Sequence, residues 1–430
     1  MKLFGGAGPA RAGRAVELDF VRGIAIIAVM GFHFHTVHTD NFLLQIIEYP
    51  LKNFGREGVN LFFTLSGFLV GGLLLRQYAE KGHVDAKRFI VRRIFRIWPA
   101  YYVLIVFHLL AGRHPWNTFL FQNLTHLQNY LGTSITQTWS LAVEEHFYLV
   151  LPALLLLFAR WRLGVWTIVG VLSAICAVVL TARCFAVAGG DLQGAFAYTQ
   201  YRIDSLLVGV ILSAIYWMKP GVYQQFAKRK WMLIAIVAVL CGWLAFATKN
   251  LALDESIGYT IQALGFAALL VLVLEHSGSL RSSMVYRAVA WIGLYSYGIY
   301  LWHSLALAPG DMLIRKATAL GLAPSLTWIV ALTAQFAFAI LIGYVTTRAI
   351  EFPFLLMRNA LFPEKRSSAV REEALAADDP PPQRQRPVRP ANIEGASSTI
   401  VEPAAAVLAA AGRAAAGPAA EPGAGGEPVA

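Results

Sequence analysis

Apolar stretches as long as a membrane is thick recur along almost the whole of this sequence. An α-helix needs about 20 mostly apolar residues to cross the hydrocarbon core of a bilayer. Ten segments meet that requirement approximately: 18–38, 58–76, 97–112, 140–159, 163–183, 203–218, 231–248, 259–275, 287–308 and 326–347. The sequence therefore predicts an all-α, polytopic membrane protein with about ten transmembrane helices, and residues 17–362 form its membrane domain.

The composition excludes a water-soluble enzyme. Hydrophobic residues make up 57% and charged residues 14% of the 430 residues, whereas soluble proteins have about 45–50% and about 25%. Three cysteines, Cys176, Cys184 and Cys241, exclude a disulfide scaffold and a four-cysteine zinc site. The net charge is +11, and the basic residues that produce it lie between the apolar segments and not in a soluble basic domain. We therefore expect no nucleic-acid partner.

The distribution of Lys and Arg predicts the orientation, because cytoplasmic loops are enriched in both. With a cytoplasmic N-terminus, and counting up to residue 366, 23 of them lie on the inside and 8 on the outside. Both termini are predicted to be cytoplasmic, with residues 1–16 as a short N-terminal segment. Residues 363–430 are rich in Ala, Pro and Gly and predict a disordered cytoplasmic tail. The first span does not resemble a cleaved signal peptide, and the tail is too short and polar for a fused esterase-like domain.

The first apolar segment contains an arginine and a histidine on one helical stripe. Arg22 and His33 are eleven residues apart and lie about 16 Å apart along a helix axis. His35 and His38 would lie on its far side. A cation near the cytoplasm and an imidazole deep in the membrane match the span between the phosphates and the thioester of coenzyme A. Alternatively, Arg22 snorkels to the membrane surface and His33 is hydrogen-bonded to a neighbouring helix.

A second group of charges precedes and enters the third span. Arg88, Arg92 and Arg96 share a helix face, and Arg93 lies three residues before Arg96. Like charges at this spacing repel, and a phosphate-bearing donor would relieve the repulsion through bidentate contacts with arginine. The alternative is that these residues only set the topology or bind anionic lipid headgroups.

A third group opens the fourth span. Ser140, Glu144 and Tyr148 are four residues apart and share one face, with Glu145 next to them. Carboxylates in a membrane need partners, and the arginines above are candidates. The other polar groups within or beside spans are Asn60, Ser66, Arg202, Asp204, Tyr297, His303 and Glu351. Together they predict a polar cavity.

Seven motifs in this order resemble the acyltransferase-3 family of membrane O-acyltransferases over residues 17–360. They are Arg22-x10-His33, GVNLFFTLSGFL (58–69), RRIFRIWPAYY (92–102), TWSLAVEEHFY (138–148), YRIDSLLVG (201–209), SYGIYLWH (296–303) and Glu351-Phe-Pro353. The resemblance implies a ten-helix catalytic domain in the bacterial inner membrane. It also implies transfer of acyl groups, usually acetyl from acetyl-CoA, to hydroxyls of envelope carbohydrates. Asn60 departs from the family pattern, which is often acidic there.

With this resemblance, His33 is predicted to be the general base, or to carry a transient acyl group. Arg22 is predicted to stabilise the oxyanion or bind donor phosphates, and Glu144 or Glu145 to orient a cation or the imidazole. The predicted donor site further comprises Arg92, Arg93, Arg96 and Trp98. The predicted substrate-binding residues are Ser66, Trp139, Ser140, Tyr148, Arg202, Asp204 and His303. The predicted partners are the lipid bilayer, acyl-CoA as co-substrate and a carbohydrate acceptor, with no metal and no tightly bound cofactor.

Two other classes of protein share some of these sequence features. A secondary transporter or flippase of a glycan or lipid-linked substrate would also carry intramembrane charges, but inverted repeats with broken helices, which such proteins show, are not evident. A membrane metalloenzyme could use His33, His35 and His38, but a helix separates them onto two faces. The transporter is the stronger alternative.

The charge distribution generates a topology prediction. Single cysteines introduced at Lys81 and Lys249 should react with a membrane-impermeant thiol reagent from opposite sides, because the two positions are separated by an odd number of predicted spans. Labelling of both positions from the same side would contradict the ten-span topology.

Overall fold

A computed structural model describes residues 14–112, 116–132, 135–246 and 250–362 of this chain. The predicted cytoplasmic N-terminal segment, up to residue 13, and the predicted disordered tail lie outside the described residues. All regular elements within these ranges are helical, as predicted.

The helices follow one another along the chain, joined by short turns and by shorter helices. The first half comprises α1 (Arg14–His33), α2 (Phe42–Phe54), α3 (Gly58–Lys81), α4 (Ala86–Leu110), α5 (Trp116–Leu124), α6 (Gln128–Leu131), α7 (Trp139–Arg160), α8 (Val165–Ala188), α9 (Leu192–Ala197) and α10 (Thr199–Met218). The second half comprises α11 (Pro220–Ala227), α12 (Lys230–Phe246), α13 (Leu251–Leu253), α14 (Tyr259–His276), α15 (Met284–Leu294), α16 (Ser296–Trp302), α17 (Leu307–Ala319), α18 (Pro324–Thr346) and α19 (Phe352–Leu361). Single π-helical turns at Asp254–Gly258 and Thr347–Glu351, and 3₁₀ turns at Thr136–Thr138 and His303–Ala306, extend neighbouring helices.

Seven helices of the described chain are long and apolar enough to cross a membrane, and eight if the bent pair α11 and α12 forms one span. The two remaining predicted spans are α1 and the segment 287–308. The first half of α1 carries charged residues, among them Glu17, Asp19 and Arg22. The segment 287–308 is interrupted at Tyr295 and becomes a 3₁₀ turn at His303. The total of ten spans stays a prediction.

Two predicted helix boundaries differ from the structure. The first helix ends at His33 and not near residue 38, so the predicted placement of His35 and His38 on its far face is wrong. The chain beyond His33 is held instead by the side chain of Gln335, which bonds both the backbone N and O of His35 at 3.2 and 2.8 Å. The third span begins at Ala86, because the Asp85 side chain caps the helix by accepting from the Arg88 backbone N–H at 3.0 Å.

Helices α3 and α10 form the centre of the bundle, and two glycines let them touch. A Cβ atom at Gly67 would lie 1.9 Å from the carbonyl oxygen of Leu206, and one at Gly209 would lie 2.1 Å from that of Thr64. Small residues permit this close backbone approach between helices in lipid. Helix α1 packs against α3, and α7 packs against both helices of this pair.

Candidate active site

His33 is the last residue of α1, and one of its two ring nitrogens is available to accept a proton. Its Nδ1 is 2.8 Å from the backbone oxygen of Val29. A carbonyl oxygen only accepts, so Nδ1 carries the proton and Nε2 holds the unshared electron pair. Within the described ranges Nε2 has no hydrogen-bond partner. A neutral imidazole in this tautomer is what a general base requires.

His303 lies beside His33 although 270 residues separate them in the sequence. The ring centroids are 5.0 Å apart in an edge-to-face arrangement. The Nδ1 of His303 donates to the backbone oxygen of Tyr300 at 2.7 Å, so its proton position is also determined by a carbonyl. His303 is buried and packs with its ring against that of His33.

A row of hydroxyl groups continues inward from His303 to α7. The Tyr300 ring lies 5.9 Å from the His303 ring, and its hydroxyl donates to the Gln137 backbone oxygen at 2.6 Å. Ser140 Oγ is 2.5 Å from the same hydroxyl. The structure thus connects the predicted residue Ser140 to His33 through two intervening residues, His303 and Tyr300. Tyr300 was not singled out from the sequence, although it lies inside the quoted SYGIYLWH motif.

One helical turn further along α7, Glu144 and Tyr148 form a second polar group with α3. The Tyr148 hydroxyl donates to Glu144 Oε2 at 2.6 Å and lies 2.8 Å from Ser66 Oγ. The guanidinium of Arg93 lies over the Tyr148 ring, 5.1 Å from its centroid. The predicted shared face of Ser140, Glu144 and Tyr148 is therefore present in the structure.

The arginines predicted to bind the donor lie together with Arg22. Arg22 donates to Asp19 at 2.5 Å, and its charge also interacts with those of Arg93 and Arg96. Arg96 interacts in turn with Glu144 and with Glu351. Four helical segments thus contribute charges of both signs to one cluster. Arg92 lies half-buried on the same helix, and the Trp98 indole N–H donates to Glu145 Oε2 at 3.1 Å.

Arg202 occupies a separate, fully buried position between α3, α10 and α14. Its guanidinium lies 3.5 Å from the centroid of Tyr259 and 5.4 Å from that of Trp139, and it donates to the side-chain oxygen of Asn60. Asn60 in turn donates to Glu57. The carboxylate that Asn60 lacks is therefore supplied one turn earlier by Glu57, which was missed from the sequence because it precedes the motif.

Asp204 is enclosed by a structural ion pair. Its Oδ1 lies 2.9 Å from Arg183 Nη1, and neither side chain has any exposed surface. Thr260 donates to Asp204 Oδ2 at 2.7 Å and accepts from Arg183 Nη2 at 2.6 Å. The structure does not bring Asp204 together with His33 or the arginine cluster. Arg183 was counted only as a loop charge, and its position at the end of an apolar segment was the available signal.

The outer surface next to His33 includes a lysine that the sequence did not reveal. The ammonium of Lys52 on α2 donates to the Phe34 backbone oxygen, and its charge acts on His33. Burial lowers the pKa of Lys52, and the nearby carboxylate of Glu48 opposes that shift. Amphipathic α2 therefore places a cation beside the candidate base.

The other two histidines near the end of α1 point to different surroundings. The Nδ1 of His35 lies 2.7 Å from Asp311, and His38 lies 3.4 Å from Asp40, with all four side chains exposed. Among the described residues, no three His, Cys, Asp or Glu side chains are grouped as metal ligands.

Comparison with known proteins places these features in context. Residues 16–348 match the family model of an acyltransferase domain. A peptidoglycan O-acetyltransferase of Listeria monocytogenes is 28% identical over 323 residues, which cover 67% of this chain and 48% of that protein. A putative peptidoglycan O-acetyltransferase of Bacillus subtilis is 27% identical over 317 residues, covering 66% and 47%. A putative O-acetyltransferase of Staphylococcus aureus is 24% identical over 321 residues, covering 66% and 49%. This chain thus spans about half the length of these relatives, and no solved structure matches it.

The buried pair of Arg183 and Asp204 generates a stability prediction. Asp204→Asn should lower the unfolding temperature in detergent, because removing one partner of a buried ion pair costs about 3–5 kcal/mol. The matched control is Asp311→Asn, which changes a partly exposed carboxylate. Equal unfolding temperatures for Asp204→Asn and the wild-type protein would contradict a structural role for Asp204.

Proposed function

This chain belongs to the acyltransferase-3 family of membrane proteins, and we propose that it transfers an acetyl group from acetyl-CoA to a hydroxyl group of an envelope carbohydrate. The donor approaches from the cytoplasm, in the inner membrane of a bacterium. The names of the relatives support a peptidoglycan hydroxyl as the acceptor. The match to an acyltransferase family favours this proposal over the transporter alternative.

The observation that carries the proposal is the unshared pair on His33 Nε2. Ring contacts lead from His33 through His303 to Tyr300, whose hydroxyl is bonded to Ser140 on α7. Tyr148 lies further along the same face of α7, under the guanidinium of Arg93 from the arginine cluster. A neutral base at one end of this polar region and cations suited to donor phosphates at the other correspond to the two ends of coenzyme A.

The reaction follows from these positions. The acceptor hydroxyl gives its proton to His33 Nε2 as its oxygen attacks the thioester carbonyl. The carbon–sulfur bond then breaks, coenzyme A leaves as the thiolate, and the proton on His33 restores the thiol. The Lys52 ammonium beside His33 stabilises negative charge on the carbonyl oxygen. A transient acyl-imidazole would use the same unshared pair and is the alternative within this mechanism.

The role of His33 can be tested by substitution. His33→Ala and His33→Gln should lose about 10²- to 10⁴-fold in acetyl transfer, the range for a missing acid–base group. The measurement is coenzyme A release and acetyl ester formation in proteoliposomes that contain a soluble glycan acceptor. His35→Ala is the matched control, because His35 is exposed and paired with Asp311. Protein abundance and thermal stability are measured for each variant. Undiminished transfer by a folded His33→Gln protein would remove His33 from the mechanism.

The donor site is tested separately. Arg93→Ala and Arg96→Ala should raise the KM for acetyl-CoA, and lysine should restore it poorly, because a point charge does not replace bidentate contacts. The control is Arg76→Ala, which removes an arginine paired with Glu80 at the end of α3. Unchanged dependence on acetyl-CoA concentration in the Arg93 and Arg96 double variant would leave these arginines with a role in topology only.

A further inference from the structure

A small cavity lies between α4, α7 and the turn that joins α5 to α6. Its volume is about 100 Å³, which corresponds to about three water molecules. Its polar lining residues are Arg93, Thr125, His126, Glu145, His146 and Tyr148, and Ile94 and Trp98 are among its apolar walls. Arg93 thus contributes both to this cavity and to the arginine cluster assigned to the donor.

Three buried side-chain atoms of residues that line this cavity lack a hydrogen-bond partner. Both ring nitrogens of His126 and one carboxylate oxygen of Glu145, Oε1, are buried and have no partner in the described part of the chain. The exposed fractions of the two residues are only 8% and 9%. Buried polar groups are nearly always hydrogen-bonded to protein or to ordered water, so an unpaired donor and an unpaired acceptor in one cavity are available to a bound polar group.

The His126 side chain is held in place by its surroundings. Its ring is stacked against Tyr101 and Trp98, with centroid distances of 5.1 and 5.8 Å. Its backbone φ of 55° lies in the left-handed region, where residues other than glycine are uncommon. Burial lowers the pKa of His126 to about 4, so the imidazole is neutral near pH 7. It therefore offers one N–H donor and one acceptor nitrogen.

Glu145 is also oriented by its neighbours. The Trp98 indole N–H donates to Oε2 at 3.1 Å, which leaves Oε1 to accept a hydrogen bond from a ligand. The Nδ1 atom of His146 does not bond to Glu145 Oε1, since it lies 2.7 Å from Thr199 Oγ1.

We infer that His126 and Glu145 bind a secondary amide in the pantetheine arm of the thioester donor. The amide N–H donates to Glu145 Oε1, and the amide oxygen accepts from the protonated nitrogen of His126. This inference rests on the proposed function, because it assumes a coenzyme A thioester held in part by Arg93. A trans secondary amide is the part of such a donor that presents one N–H donor and one carbonyl acceptor, which point in opposite directions, and the cavity supplies an acceptor on α7 and a donor on the turn after α5.

The test compares two truncated donors that differ in one amide. S-Acetyl-N-acetylcysteamine carries an amide at the pantetheine position, and S-acetyl-2-mercaptoethanol carries none. The measured quantity is the ratio of their kcat/KM values in proteoliposomes. His126→Ala and Glu145→Gln should each lower this ratio about tenfold, the scale of one lost hydrogen bond to a buried partner. His126→Asn, which retains a donor and an acceptor, should restore part of it.

The ratio is independent of the amount of folded protein, because both donors are measured on the same preparation. His83→Ala is the matched control, since His83 is exposed in the turn after α3, and it should leave the ratio unchanged. An unaltered ratio in His126→Ala and Glu145→Gln would overturn the inference and indicate a cavity filled by water only. A wild-type protein that consumes no thioester would overturn the proposed function and this inference together.

Discussion

A charged side chain inside a membrane bundle must be paired with another group, and this constraint explains the polar interior of the protein. Three of the intramembrane arginines are stabilised by different kinds of partner. Arg183 is neutralised by Asp204, Arg202 lies on the face of Tyr259, and Arg22 is bonded to Asp19. Because unpaired charge is so costly in lipid, these partners determine how the helices are rotated. The remaining hydrogen-bonding groups consequently face one another across the bundle.

The three arginines near α4 differ from Arg183 in one respect. Arg183 has a complete set of partners and is inaccessible, which is typical of a structural ion pair. Arg22, Arg93 and Arg96 lie close enough to repel one another, and their carboxylate neighbours Asp19, Glu144, Glu145 and Glu351 are distributed over one cluster. Several arginines in a partly accessible cluster are suited to an anionic ligand, and under the proposed function the phosphates of coenzyme A bind there.

The surroundings of His33 are built by side chains from three distant parts of the chain. His303 and Tyr300 come from α16 and the turn after it, Ser140 from α7, and Lys52 from α2. The break in the helix at Tyr295 and the 3₁₀ turn at His303 bring that histidine against the end of α1. An uninterrupted helix would carry His303 along its axis at a different rotation. The irregular segment is therefore what completes the surroundings of His33.

Hydropathy and residue spacing were sufficient to predict the class of fold, most of the long helices and the shared face of Ser140, Glu144 and Tyr148. These are local properties, since helix length and the period of 3.6 residues depend only on neighbouring residues. The ordered motifs were sufficient for the family. The end of α1 was not predictable, because it depends on Gln335, 300 residues away. Nor were the pairing of Asp204 with Arg183, the carboxylate of Glu57 beside Asn60, or the unpaired His126. Each of these depends on which helices pack together and at what rotation, which only the tertiary structure decides.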